Sequence, residues 1–339
     1  MTRGTLVKNL VMVLVLVLIC LLPVIIRNEY WIHVLVLISI MILATSSMRA
    51  IFRTGEISIG TSGFMLLGGY SSAILTLKLG LSFWITMPVG GLLAAAVATA
   101  IGYPFFRVKG IYFAISTLLL AFVFLYLAGY MKELTGGWQG LVFDIWPNPI
   151  RIPGIMTLTF NTDIRYYYLA LIIVGLCLFV LYRMEHARVG LVWGSIREAD
   201  YLAQSVGVNL MAQKIFIFVV ACFFTGIAGA LYAFYVHALS PTTTPANIFG
   251  FFTSIYCILY MVVGGESNFF GPVIGTSLFM LIPEFARPLE AYRPLIYGAL
   301  LILIIFFMPQ GLIGLGDYVA AGYRKLVGPS LQKAPARKR

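Results

Sequence analysis

Charge is what this chain most lacks. Asp, Glu, Lys and Arg make up 10% of its 339 residues, and hydrophobic types make up 61%. A soluble domain carries about 25% charged residues, so this chain has too few to cover a surface in water. With a mean hydropathy of +0.97, the class that remains is an all-α polytopic membrane protein. Catalytic signatures are missing too. No Gly-Lys-Ser or Gly-Lys-Thr occurs, which excludes a P-loop and nucleotide hydrolysis by this chain. Neither His-Glu-x-x-His nor Gly-x-Ser-x-Gly is present, and no paired carboxylates fall inside an apolar run. No enzyme activity, metal site or cofactor of its own is expected.

Cysteine is scarce as well. Cys20, Cys177, Cys222 and Cys257 fall in four different apolar segments, where they read as small buried hydrophobes rather than disulfide partners. Ionisable residues are nearly absent from segment interiors: His33 lies just inside one, and Glu56, Glu266 and Glu284 sit at segment ends. Proton-coupled carriers use such groups as relays, so that mechanism is not expected. A sodium-coupled carrier working through backbone carbonyls of broken helices stays open. The chain reads as a pathway without a motor.

What is present is a series of apolar runs. A spanning helix needs about 20 mainly apolar residues, and ten candidates emerge: 6–26, 31–48, 57–77, 83–103, 110–130, 166–184, 214–238, 247–264, 270–287 and 292–308. The third and ninth are interrupted by Gly, Ser, Thr or Pro. Arg3 and Lys8 precede the first run, which is long for a signal-peptide core and has no small-residue cleavage site after "LLPVIIRN". A first helix is therefore expected there. With the N-terminus inside, sixteen Lys and Arg fall on the cytoplasmic side, among them Arg49, Arg53, Lys109, Arg197 and Lys214. Seven, including Lys78 and Lys132, fall outside. That asymmetry predicts an N-in, C-in topology, with a transmembrane domain over 1–317, a periplasmic loop over 131–165 and a cytoplasmic loop over 185–213.

The net charge of +11 does not point to nucleic acid, because the basic residues lie in short clusters between apolar runs. The basic cytoplasmic tail, 318–339, is expected to rest on anionic lipid. Two runs carry small residues every four positions, Gly90, Ala94, Ala98 and Gly102, then Ala221, Thr225, Gly229 and Ala233. This spacing suits close helix packing. A moving seam is the other reading of those faces.

One polar island, "SIREADYLAQSVGVN" at 195–209, stands between apolar runs. Ser195 with Glu198 fits a capping box, and Gly207 fits a left-handed stop. Ile196, Ala199, Leu202, Ala203 and Val206 fall on one helical face. The spacing predicts a three-turn helix, too short to span. Mixed charge and a mild apolar face favour a protein partner over a position in the lipid headgroups. Ser58, Thr61 and Ser62 make 57–77 a poor lipid-facing helix, so with Ser116 and Thr117 they are candidate pathway residues; tight packing is the other reading. The loop 131–165, with "WPNP", Pro153 and three acidic residues, is long enough to dock a partner or to form a plain lid.

Six stretches in order resemble the permeases of branched-chain amino-acid ATP-binding-cassette importers, the M-type more than its H-type partner. They are "GEISIGTSGFMLLGGYSSAIL" (55–75), "VKGIYFAISTLLLAFV" (108–123), "TGGWQGL" (135–141), the stretch 195–233, "VVGGESNFFGPVIGTSLFMLIPE" (262–284) and "MPQGLIG" (308–314). The resemblance implies a ten-helix permease fold with broken helices in the bacterial inner membrane. It implies as partners a homologous permease, two cytoplasmic ATP-binding subunits that hydrolyse ATP-Mg, and a periplasmic substrate-binding protein. The helix 195–207 becomes the coupling helix: Arg197 and Glu198 orient it, Ala199 and Ala203 let it sit closely, Ser195 starts it and Gly207 ends it. Branched-chain or related amino acids are the implied substrates, with urea or short-chain amides as the nearest alternative. Leu191 and Gly194 depart from the basic residues that relatives often carry there, Glu266 replaces a usually apolar residue, and Met308 stands where Arg is common.

Overall fold

A computed structural model describes residues 28–152, 156–242 and 248–285, together with Pro23, Leu295, Gly298, Ala299 and Ile302. The expected runs 6–26 and 292–308 and the basic tail lie outside these stretches. Among the described residues, eight helices of fourteen residues or more correspond to the eight remaining runs. They are α1 (Glu29–Phe52), α2 (Thr61–Leu79), α3 (Phe83–Phe105), α4 (Ile111–Tyr130), α6 (Asp163–Glu185), α9 (Leu210–Val236), α10 (Phe251–Gly264) and α11 (Gly271–Phe285). Short helices α5 (Lys132–Thr135), α7 (Arg188–Glu198) and α8 (Asp200–Ser205) complete the set.

Among the described residues five helices, α1, α3, α4, α6 and α9, are long and apolar enough to cross a membrane. The chain is thus a multi-pass membrane protein. α2 falls short in apolarity because Ser, Thr and Gly occupy much of its length, and α10 and α11 fall short in length.

Local chemistry sets the ends. The Asn28 carboxamide accepts from Tyr30 N at 3.0 Å to start α1, and that of Asn209 accepts from Ala212 N at 3.1 Å to start α9. Gly80 stops α2 in the left-handed conformation at φ 65°. α9 stops at His237, which takes the same conformation at φ 57° although it has a Cβ. Its ring packs 4.5 Å from that of Trp146.

The described residues form two compact units, one ending at Cys257 and one beginning at Ile258. In the first, α9 is the central helix, packed against α1, α2 and α3. The close approach needs glycine. A side chain at Gly68 would collide with the Gly226 backbone, and one at Gly229 with the Met65 carbonyl. The small-residue faces therefore serve packing, with Gly226 and Gly91 at the α3–α9 crossing in addition to the residues expected. The buried Ser72 hydroxyl is satisfied within the bundle: its Oγ donates to the Gly68 and Thr86 carbonyls at 2.8 and 2.9 Å.

α3 and α9 run antiparallel. Phe83 meets Phe234 at one end of the α3–α9 pair, and Phe106 meets Phe218 at the other. The loop after α4 closes over the first of these ends. Strand β1 (Leu141–Val142) pairs antiparallel with β4 (Ala238–Leu239), and β2 (Ile150–Ile152) pairs with β3 (Met156–Leu158). The glycines of "TGGWQGL" are required here: Gly136, Gly137 and Gly140 all have positive φ, and Gly140 lies against the Leu239 carbonyl. In the second unit, Gly264 faces Gly271, and Gly275 faces the Tyr260 carbonyl, so the two backbones of that hairpin touch.

Candidate functional site

The polar island folds as two helices rather than one. α7 runs through Ser195 to Glu198, Ala199 is extended at φ −158° and ψ 92°, and α8 begins at Asp200. Ser195 is therefore no N-cap: it sits in the last turn of α7 and its hydroxyl donates to the Val192 carbonyl at 2.8 Å. The capping box with Glu198 does not form. Gly207 does take the left-handed conformation, at φ 88°, and Val208 N donates to the Ala203 carbonyl at 3.1 Å to close α8.

The break also changes which face is apolar. Trp193, Ile196 and Ala203 are buried against the end of the bundle. Leu202 and Val206, expected on the same face as Ile196, point away and are 64% and 79% exposed. With Leu191 (76%) and Tyr201 (82%) they form an exposed apolar group on the polar end of the chain. Ala203 faces inward and is not available to seat a partner. Arg197 holds α7 in place by laying its guanidinium over the Phe52 ring, 4.4 Å from the centroid. Glu198 is exposed.

Beneath the island lies a cluster of ion pairs. Arg49, buried at the end of α1, makes a bidentate pair with Glu185 at 2.7 and 2.9 Å. Arg53 Nε approaches the same carboxylate at 3.2 Å without hydrogen-bond alignment. A second group joins four elements. Lys214, in the first turn of α9, is 3.0 Å from Glu56 and 3.3 Å from Asp200; Lys109 is 2.9 Å from Asp200. Glu56 also accepts from Gly110 N, just before α4, at 3.1 Å. Lys214 and Glu56 are both buried, whereas Asp200 is partly exposed. Partial burial raises the Asp200 carboxyl, but its hydrogen bond to Lys109 and the charges of Lys214 and Lys109 outweigh this and hold it below its ordinary range. A cleft of about 540 Å³ opens beside these residues, between Phe106, α8 and the start of α9.

Sequence reasoning missed this cluster. Glu56 and Lys214 were visible as charges at segment ends, but their separation of 158 positions hid the pairing. Charges bordering an apolar helix of opposite direction were the available signal. Arg49, Arg53, Lys109, Arg197 and Lys214, all assigned inside by the charge count, gather at this end. Lys78, assigned outside, reaches the Glu133 carbonyl at the other end of α2.

Four of the five candidate pathway residues come together above the cluster. Ser58, Thr61, Ser62 and Thr117 are buried where the irregular segment 56–60 enters α2. Thr117 Oγ1 accepts from Ile59 N at 3.0 Å, and Ser254 Oγ accepts from Ser62 N at 3.0 Å and donates to Ser62 Oγ at 2.9 Å. Ser116 stands apart and donates to the Tyr112 carbonyl of its own helix. The space beside Ser62 measures about 10 Å³, at the lower limit for a single water. Among the described residues no cluster of His, Cys, Asp and Glu could hold a metal ion.

The profile of a family described as "Branched-chain amino acid transport system / permease component" matches residues 30–307. Two curated relatives are both described as a high-affinity branched-chain amino acid transport system permease protein, LivM. The chain is 30% identical to that of Escherichia coli (strain K12) over 277 residues, and 29% identical to that of Salmonella typhimurium (strain LT2) over the same length. Each alignment covers 77% of this chain and 64% of the relative. No solved structure matches the chain.

Proposed function

The chain belongs to the branched-chain amino acid transport permease family, and from that membership we propose that it is the membrane-spanning subunit of an ATP-driven importer for branched-chain or related amino acids. In this reading it works in the inner membrane as a ten-helix permease with both termini inside, beside a homologous permease. Two cytoplasmic ATP-binding subunits hydrolyse ATP-Mg, which this chain cannot do without a P-loop, and a periplasmic binding protein delivers the substrate.

The observation that carries the proposal is the exposed apolar group of Leu191, Tyr201, Leu202 and Val206 on α7 and α8. Those helices are tied to the polar end of the bundle through their other face. Exposed large side chains beside mixed charge suit a protein groove, where aromatic anchors dominate binding. The two helices are thus the coupling element, in place of one capped helix over 195–207. Arg197 orients α7, Ala199 joins the two helices, and Gly207 ends the second. Ser58, Thr61, Ser62 and Thr117 line the route that opens during transport.

Purification of the tagged chain from its native membrane in mild detergent tests the proposal. Two P-loop ATPases and a second permease are expected to come with it. Recovery of the chain alone, under conditions that keep a known importer intact, would overturn it and favour an ion-coupled carrier.

A further inference from the structure

Lys214 is the buried ammonium that the coupling reading leaves unused. Burying an ion pair is a poor way to gain stability, since apolar residues of similar volume serve as well or better. Its retention calls for another role, and its connections supply one. The Glu56 end of the pair is fixed: one carboxylate oxygen takes Lys214, and the other takes Gly110 N at the start of α4. From Glu56 the chain runs without regular structure through 56–60 into Thr61 and Ser62, with Ile59 N held by Thr117 of α4. The Asp200 end belongs to α8, which joins α7 through the extended Ala199. α7 is anchored by buried Trp193 and Ile196 and by Arg197 over Phe52, whereas α8 buries only Ala203. The ion pairs of Asp200 with Lys109 and Lys214 are its polar ties to the bundle.

We propose that Lys214 is a positioning residue that transmits displacement of α8, through Asp200, to Glu56 and so to the segment that closes over Ser62 and Thr117. This rests on the reading of the chain as an importer permease and assigns the coupling stroke to α8, with α7 as its fixed base. A helix tied to a buried charge by one partly exposed carboxylate can shift without unfolding its neighbours. The same shift changes the force on Glu56, which is held by Lys214 of α9 on one side and by the Gly110 amide just before α4 on the other.

The test measures uptake and ATP hydrolysis in the same proteoliposomes, using the complete complex with its ATPases and binding protein. Asp200→Asn breaks the tie and leaves the buried Lys214–Glu56 pair whole. It is expected to lower substrate moved per ATP by about tenfold, an ordinary size for coupling between two sites, with complex assembly and thermal midpoint unchanged. Lys214→Gln is expected to lower the ratio as well, but with a lower thermal midpoint because it leaves Glu56 buried and unpaired, and Lys214→Arg, which keeps the charge, is expected to follow wild type. An unchanged ratio in Asp200→Asn would overturn the inference. Loss of the ATPases from that variant would also overturn it, because Asp200 would then be a docking contact. If Arg behaves like Gln at 214, charge is not what transmits. A wild-type complex without ATP-driven uptake would sink the importer reading itself and this inference with it.

Discussion

Lys214 and Glu56 are buried together at the polar end of the bundle, and the energetics of that pair set what single substitutions do. Removing one partner of a buried pair leaves the other charge unsatisfied, at a cost of about 3–5 kcal/mol. Glu56→Gln alone is therefore expected to lower the thermal midpoint of the purified chain sharply. The double variant Glu56→Leu with Lys214→Met is expected to recover most of the loss, read from the same melting curves; equal loss in the double would show that the pair is not the unit. Residue types at this scale were legible in the sequence, and their pairings were not. Arg49, Glu56 and Lys214 stood out as charges beside apolar runs, but hydrophobic periodicity says nothing about which residues they meet across more than a hundred positions.

The island shows how an element is misread. Ile196, Ala199, Leu202, Ala203 and Val206 do fall at helical spacing, and a continuous helix would bury them together. The extended Ala199 resets the phase, so that α7 buries Trp193 and Ile196 while α8 buries Ala203 and exposes Leu202 and Val206. The capping box failed for a related reason: Arg188 starts α7 early, and by residue 195 the hydroxyl meets a helical carbonyl instead of a free amide. Gly207 was legible because a left-handed stop is local chemistry. Long apolar runs were legible too, with α1, α3 and α6 extending a few residues beyond the expected spans. On α7 and α8, Tyr201→Asp and Val206→Asp are expected to weaken ATPase attachment by at least about tenfold, as loss of a central anchor does, without changing the melting curve. Ile196→Asp is expected to unfold the end of the bundle. Co-purification and thermal denaturation together separate the two classes.

The Asp200 tie has its own pH dependence. A carboxyl held below its unfolded value of 3.8 contributes fully above that value and is lost only as the pH falls through the lower folded one. Lowering the pH from about 7 to about 5 leaves the carboxylate charged in both states, so attachment and coupling through α8 are expected to persist. A loss of coupling in that range would point to a different group.

Among the described residues, Arg49, Arg53, Lys109, Arg197 and Lys214, which the charge count puts inside, lie at the end of the bundle with α7 and α8, and Lys78, which it puts outside, sits with the loop that follows α4. Tyr201→Cys is expected to react with an impermeant thiol reagent only from the cytoplasm, and Glu133→Cys only from outside; labelling from reversed sides would invert the topology. ATP-driven leucine uptake, in vesicles reconstituted with the complex purified through this chain, tests the account most directly. The account predicts uptake that requires ATP on the side of α8 and stops when the ATPases are omitted. Uptake by this chain alone, driven by a sodium gradient and indifferent to ATP, would contradict it.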